Sequence, residues 1–142
     1  MSAQALLDQD LAYCAGLFDG EGSIVITTRS RGYLALDVVL VNTDEACVDH
    51  FRSVVGGGGT KGTRSRAGSL GKKTLYFVQW TATSAARVLT LLKPYLRIKR
   101  KQAETALKFQ GTFDRKHCGA GIPEKVLNRR QDLRVELRET RA

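Results

Sequence analysis

Two carboxylates at a predicted helix-to-strand junction are the first candidates for chemistry. Asp19 and Glu21 lie in the stretch Cys14–Gly22, after an apolar helical segment (6–18) and before an alternating strand (23–29). Acids at the C-terminal end of a helix gain nothing from its dipole, so stability does not explain them. Carboxylate oxygens suit Mg²⁺, which takes one or two protein carboxylates together with water and phosphate oxygens. We interpret Glu21 as a metal ligand and Asp19 as an acceptor for backbone N–H groups.

Two glycines accompany these acids. Gly16 and Gly20 are four residues apart, which places them on one helix face where another backbone could approach closely. One chain supplies too few acids for a closed metal site, whereas two symmetric chains would bring two copies of Glu21 to one axis. The spacing therefore predicts a homodimer formed through this helix.

Positive charge is concentrated in the middle of the chain. The net charge is +9, and residues 50–103 contain twelve lysines and arginines but no acid. A surface adapted only for solubility would mix both signs, so an anionic partner is expected, with nucleic acid the first choice. No apolar run approaches the ~20 residues of a membrane helix, and the three cysteines form no paired motif. We therefore expect an intracellular protein with free thiols and no membrane partner.

The order of predicted elements is α-β-β-α-β-β-α-α followed by one more helix. Two hairpins, each followed by a helix, predict an α+β fold with a four-stranded antiparallel sheet and helices on one face. A single domain is expected, with its core at about 6–110 and an extension at 112–142. We expect side-chain caps from Asn42 or Thr43 and from Thr83 or Ser84. The predicted strands are 23–29, 33–41, 60–66 and 73–81, and the helices are 6–18, 44–55, 83–93, 98–110 and 123–139.

The uncovered face of this sheet is a candidate DNA-binding surface, because the major groove admits β-ribbons. An ordinary solvated sheet face is the alternative. Alternation leaves open whether Leu75, Phe77 and Gln79 or their neighbours face the core in the fourth strand. The candidate DNA-binding residues are Ser23, Val25, Thr27, Arg29, Tyr33 and Asp37 on the first hairpin and Lys61, Arg64, Arg66, Lys72 and Lys73 on the second.

A basic cluster opens the helix predicted at 98–110. Lys99-Arg100-Lys101 places cations near a helix N-terminus, where the dipole disfavours them. Contact with a phosphate or an activated water would explain the cluster, and a solvated run of charge is the alternative.

The sequence of Cys14–Gly22, CAGLFDGEG, resembles the motif that names the LAGLIDADG homing endonucleases. It differs by Cys for the first Leu, Phe for Ile, Gly for Ala and Glu for the second Asp. The order of elements is similar to the αββαββα core of that family. The segment 94–103 resembles the part of single-motif members that carries a basic active-site residue.

This resemblance implies a nuclease centre. Glu21, helped by the carbonyl of Gly20, would bind Mg²⁺ or Mn²⁺, while Ca²⁺ would support binding without cleavage. Lys99 would support water activation, Asn42 would be a nearby polar group, and Asp19 would be structural. A single motif implies a homodimer that cuts both strands of a long, near-palindromic duplex and leaves 3′ overhangs, with no small-molecule cofactor beyond the metal. The implied dimer contacts are Ala12, Ala15, Gly16, Asp19 and Gly20.

Two other functions are compatible with such a fold. One is an RNA maturase that assists intron splicing, and the other is a DNA-binding regulator that no longer cleaves. A regulator has no use for an acid at position 21 or a lysine at position 99, so both residues favour the nuclease.

Overall fold

The sheet and its helices follow the predicted order. The computed structural model describes residues 2–65, 73–114 and 121–141. The strands form one antiparallel sheet in the order β1-β2-β4-β3, which confirms the α+β architecture with its added C-terminal helix. Short 3-10 turns occur at Ser30–Gly32 and Lys93–Tyr95. The main elements are α1 (Ala3–Glu21), β1 (Gly22–Thr28), β2 (Leu34–Asn42), α2 (Glu45–Val54), β3 (Thr60–Arg64), β4 (Leu75–Thr81), α3 (Thr83–Leu92), α4 (Arg100–Gly111) and α5 (Glu124–Arg141).

One face of the sheet is buried beneath the helices. Ile24 of β1 and Val38 of β2 are fully buried, as their alternation predicts. In β4 the buried residues are Val78 and Trp80. They identify the face of β4 that packs against the core, which the sequence alone left undecided. The Trp80 indole N–H donates to the carbonyl of Gly57 at 3.1 Å, which satisfies the polar atom of this large buried ring. Leu75, Phe77 and Gln79 therefore lie on the open face.

Helix α1 is longer than predicted, and its glycines do not end it. A buried stripe of Leu11, Cys14, Ala15 and Phe18 runs at helical spacing towards its end, and this packing outweighs the ~1 kcal/mol that each glycine costs. The helix ends at Glu21, and β1 begins at once with Gly22. A Cβ at Gly22 would lie 2.2 Å from the Phe18 ring, so only glycine fits this junction. The junction fixes where Glu21 leaves the helix.

The predicted helix caps are wrong in detail. Asp44 caps α2 by accepting from the Cys47 N–H at 3.2 Å, because Asn42 is still the last residue of β2. Ala82, and not Thr83 or Ser84, is the residue that precedes α3, and its methyl side chain cannot cap the helix. The Ala82 N–H donates to the Leu36 carbonyl and continues the sheet bonding. Helix α4 begins at Arg100 rather than at residue 98.

Helix α5 packs on α4 and adds to the same core. Leu133 and Leu137 are buried, and Val126 is partly covered. Arg130 is also buried, and its guanidinium stacks on Phe113 with Cζ 3.7 Å from the ring centroid. No helix in the described part of the chain has the length and apolar character needed to cross a membrane.

Candidate functional site

Asp19 holds a distant segment against the end of α1. Its carboxylate is 9% exposed and accepts the N–H groups of Arg97 and Lys99, both at 2.9 Å. Hydrogen bonds to an ionised carboxylate are short and stronger than neutral ones. The predicted role in binding backbone N–H groups is therefore found, although the donors lie 78 and 80 residues away in the sequence.

Lys99 is placed at the C-terminal end of α1. Its Nζ donates to the carbonyl of Asp19 at 2.6 Å. The last carbonyls of a helix lack partners within the helix, and its dipole favours a cation there. A lysine that is unfavourable at the start of α4 is thus favourable at the end of α1. The carbonyl that it contacts, that of Asp19, comes one residue before Gly20 and two residues before Glu21.

Glu21 is exposed at the helix end. Among the described residues it has no hydrogen bond and no ion pair. It lines a cleft of about 390 Å³ together with Asn42, Thr43, Val41 and Leu75. The structure therefore brings Glu21 and Asn42 to one cleft, and Lys99 approaches the same helix end.

Asn42 has a defined orientation in this cleft. Its Oδ1 accepts the N–H of Asp44 at 2.8 Å. Because the amide oxygen is engaged, the amide NH₂ group is the part left to donate to a water or a phosphate.

The donor set suits a hard divalent metal ion. Within the described ranges no three His, Cys, Asp or Glu residues come close enough to hold a metal by themselves. An exposed carboxylate at a helix end instead offers the one or two oxygen ligands that Mg²⁺ takes from a protein when phosphates and water complete its shell. The residues present therefore fit Mg²⁺ better than a metal that needs a closed protein site.

The neighbouring thiols do not compete for this role. Burial raises the pKa of Cys14 to about 12, with smaller contributions from Asp10 and Cys47. Burial also raises the pKa of Cys47, and the charges of Asp44 and Glu21 add to the effect. Both thiols stay protonated at neutral pH, whereas metal ligation and nucleophilic attack require the thiolate.

Small residues on α1 form an exposed surface. Ala12, Gly16 and Gly20 are exposed, and a Cβ added to either glycine would meet no atom within 4 Å. Ala15 was predicted to share this surface but is fully buried in the chain's own core. Asp19 is also mostly buried, with its oxygens used by backbone donors. A cleft of about 470 Å³ lies beside the small residues and is lined by Ala12, Gly16, Asp19, Pro94, Tyr95, Leu96, Arg97 and Arg100.

The open face of the sheet carries most of the predicted contact residues. Residues paired in register share a face, so Ser23 and Val25 lie beside Val39 and Asp37 of β2. Gln79 and Thr81 of β4 also lie there, and they could not be identified from the sequence because it leaves the orientation of β4 undecided. Predicted residues found on this face or at its hairpin end are Ser23, Val25, Thr27, Arg29, Tyr33 and Arg64. Asp37 lies on the same face but is 3% exposed and accepts hydrogen bonds from Thr27, Arg29 and Thr81, so its prediction as a direct DNA contact is wrong.

Lys61 does not lie on this open face. It pairs with Val78, so it projects towards the helices, where its Nζ lies 2.7 Å from Asp49 and 2.8 Å from Glu45. Hydrogen bonds to Asp49 and then Glu45 raise the pKa of Lys61. The prediction of a DNA contact at Lys61 is therefore wrong. Lys73 is exposed just before β4, while Arg66 and Lys72 lie outside the described residues.

Comparison with known proteins identifies the fold. No protein-family model and no curated protein sequence matches the chain. Among solved structures, the homing endonuclease I-CvuI in complex with its target in the presence of Ca is similar, with 22% identity, a TM-score of 0.73 and coverage of 96% of this chain and 84% of that one. The archaeal intron-encoded homing endonuclease I-Vdi141I complexed with DNA has 16% identity, a TM-score of 0.71 and coverage of 94% and 84%. The LAGLIDADG meganuclease I-AabMI bound to uncleaved DNA has 17% identity, a TM-score of 0.63 and coverage of 89% of this chain but 44% of that one.

Proposed function

Because the chain has the fold of the LAGLIDADG homing endonucleases, we propose that it is a site-specific endonuclease of double-stranded DNA. The observation that carries this proposal is the exposed carboxylate of Glu21, which has no partner among the described residues and shares a cleft with Asn42. The net charge of +9 and the polar open face of the sheet suit a nucleic-acid substrate. Structural neighbours bound to DNA support the same substrate.

Divalent metal would be held by Glu21 and the carbonyl of Gly20. When bound, Mg²⁺ or Mn²⁺ supplies positive charge to the scissile phosphate and lowers the pKa of a coordinated water. Ca²⁺ is expected to support binding without cleavage. I-CvuI has been crystallised on DNA with calcium and, on an uncleaved target, with magnesium, which is consistent with use of a divalent ion.

The protein groups have separate tasks in phosphodiester hydrolysis. The Lys99 ammonium, anchored on the Asp19 carbonyl, would stabilise negative charge that develops on the phosphate. The Asn42 amide N–H groups would orient the attacking water or a phosphate oxygen. Asp19 acts indirectly, since it fixes the backbone of Lys99.

The active unit is a homodimer in this proposal. A double-strand break requires two hydrolysis events, and each chain has one Glu21. The exposed glycines support this assembly, because the isolated chain leaves open space at both positions and would be more stable with alanine. The dimer would bind a long, near-palindromic target, cut one phosphodiester per strand and leave 3′ overhangs.

Substitution of Gly16 tests the dimer. Gly16→Leu is expected to leave the single chain folded, because its site is open, but to prevent close approach of two α1 helices. Sedimentation at micromolar concentration should then show monomers, where wild type shows dimers. Gly111→Leu is the matched control, since Gly111 also has open space and lies at the end of α4. A Gly16→Leu dimer as stable as wild type would contradict this interface.

Substitution of Lys99 tests the catalytic assignment. Lys99→Met is expected to slow cleavage about 100-fold, the scale of losing one group that stabilises transition-state charge. Affinity for the uncleaved target in Ca²⁺ should change only a few-fold, by roughly the contribution of one phosphate contact. Lys101→Met, on the exposed side of α4, is the control. Equal losses in cleavage and affinity would reduce Lys99 to a phosphate contact.

Selection of cleaved duplexes from a randomised library with Mg²⁺ tests the whole proposal. A palindromic consensus would support the nuclease and its symmetry. Failure to select any duplex, with binding to structured RNA instead, would favour the maturase.

A further inference from the structure

A buried acid lies in the middle of the open face of the sheet. Asp37 of β2 is 3% exposed, and its register partners are Val25 on β1 and Thr81 on β4. Burying a carboxylate is costly unless hydrogen bonds satisfy it, and apolar side chains such as those of its β2 neighbours Ala35 and Val39 would avoid that cost. An acid at this position therefore needs an explanation beyond folding.

Three side chains saturate the Asp37 carboxylate. Thr81 Oγ1 donates to Oδ1 at 2.7 Å, and Thr27 Oγ1 donates to Oδ2 at 2.9 Å. Arg29 Nη2 donates to both oxygens, at 2.6 and 2.7 Å. The carboxylate is thus fixed on two sides by threonines and presents its remaining acceptor positions to a single guanidinium.

Arg29 is exposed above this fixed acid. Its side chain is 45% exposed, against 4% for Asp37. Nε and Nη1 donate to no other group in the described part of the chain. The guanidinium therefore has a defined orientation, with N–H donors left for a ligand on the open face.

The chemistry of this pair favours a base over a phosphate. Asp37 neutralises the charge of Arg29, so the pair adds little to the general attraction of a polyanion. Directional N–H donors remain, and guanine presents two acceptors, N7 and O6, in the major groove, which arginine reads in preference to other bases. We propose that Arg29 recognises one guanine in each half-site and that Asp37 is the residue that positions it. This inference rests on the proposed function and extends it to the target.

The test uses the full-length protein and duplexes. Wild type first selects a target from a randomised library, and each position of that target is then varied singly. Affinity for the duplex in Ca²⁺ should fall about tenfold or more when one particular guanine is replaced in both half-sites. Arg29→Met should lose this preference and keep the preferences elsewhere.

Two further variants separate positioning from folding. Arg29→Lys keeps the ion pair but lacks the planar fork, so it should weaken the guanine preference without abolishing it, while unfolding like wild type. Thr81→Val removes one support of Asp37 and should weaken the preference at that position only. Lys73→Met is the control and should weaken all targets equally, as a phosphate contact does.

The outcomes are distinguishable. If Arg29→Met weakens binding to all targets equally, or leaves the guanine preference unchanged, Arg29 does not recognise that guanine. Either result would leave the proposed nuclease function standing. A wild-type protein that selects no duplex would overturn the nuclease and this inference together.

Discussion

Glu21→Gln is expected to bind its DNA target about as tightly as wild type and to cleave it about 1,000-fold more slowly. Glutamine has the same shape but lacks the charge that a divalent ion requires from its protein ligand. Loss of metal-derived stabilisation costs several kcal/mol, and each 1.36 kcal/mol is a factor of ten in rate. Single-turnover cleavage in Mg²⁺ and equilibrium binding without a divalent ion give the two numbers, because Ca²⁺ would occupy the site that Glu21 forms.

Two other variants delimit the effect of Glu21. Glu21→Asp keeps the carboxylate on a shorter arm and should retain part of the cleavage activity. Asp10→Asn removes an exposed acid from the same helix, so it controls for a general change in charge. If Glu21→Gln cleaved its target at the wild-type rate, Glu21 would not be a metal ligand. A parallel loss of binding would instead give it a structural role.

The junction that carries Glu21 could be predicted because its determinants are local. The buried stripe of α1 and the alternation of β1 are both visible in neighbouring residues, and Gly22 marks the tight passage between them. The exact end of α1 could not be predicted from Gly16 and Gly20. Each glycine destabilises a helix, but packing against the folded core outweighs that cost, and this packing is not visible in the local sequence.

Orientation on the second hairpin could not be predicted for a physical reason. Strand β3, TKGTR, has no apolar alternation, so nothing in its sequence chooses which face meets the core. Pairing with β4 decides it, and Val78 brings Lys61 to the helix side. The acids Glu45 and Asp49 on α2 then form ion pairs with that lysine. The basic composition of the hairpin had instead predicted that Lys61 contacts DNA.

The position of Lys99 shows how one unfavourable local feature can reflect a distant partner. Its charge conflicts with the N-terminus of α4 but complements the C-terminus of α1. The conflict is visible in the sequence, yet its resolution depends on a contact between residues that are 80 positions apart. Asp19 makes that contact possible, so its removal should affect both stability and chemistry.

Asp19→Asn is expected to lower the free energy of unfolding by about 2–4 kcal/mol, because one of two charge-assisted hydrogen bonds is lost and a buried N–H then faces an amide NH₂. Denaturant unfolding measures this loss. Asp8→Asn is the matched control because it lies on the same helix. Its Oδ1 accepts from the Tyr95 hydroxyl at 3.1 Å and from the Gln4 amide at 2.8 Å, and an asparagine oxygen in the same place can still accept both. Asp8→Asn should therefore cost less than about 1 kcal/mol.

The same Asp19→Asn variant should also cleave more slowly under conditions where it remains folded. Its side chain can accept only one of the two backbone bonds, from Arg97 or from Lys99, so the segment that carries the Lys99 ammonium is held less firmly and the ammonium spends less time on the Asp19 carbonyl. In a double variant with Lys99→Met, the two effects on cleavage should therefore be less than additive, since both act through one ammonium. Full additivity would mean that Asp19 serves stability alone. Equal unfolding energies for Asp19→Asn and Asp8→Asn would show that the two bonds from Arg97 and Lys99 do not hold the junction together.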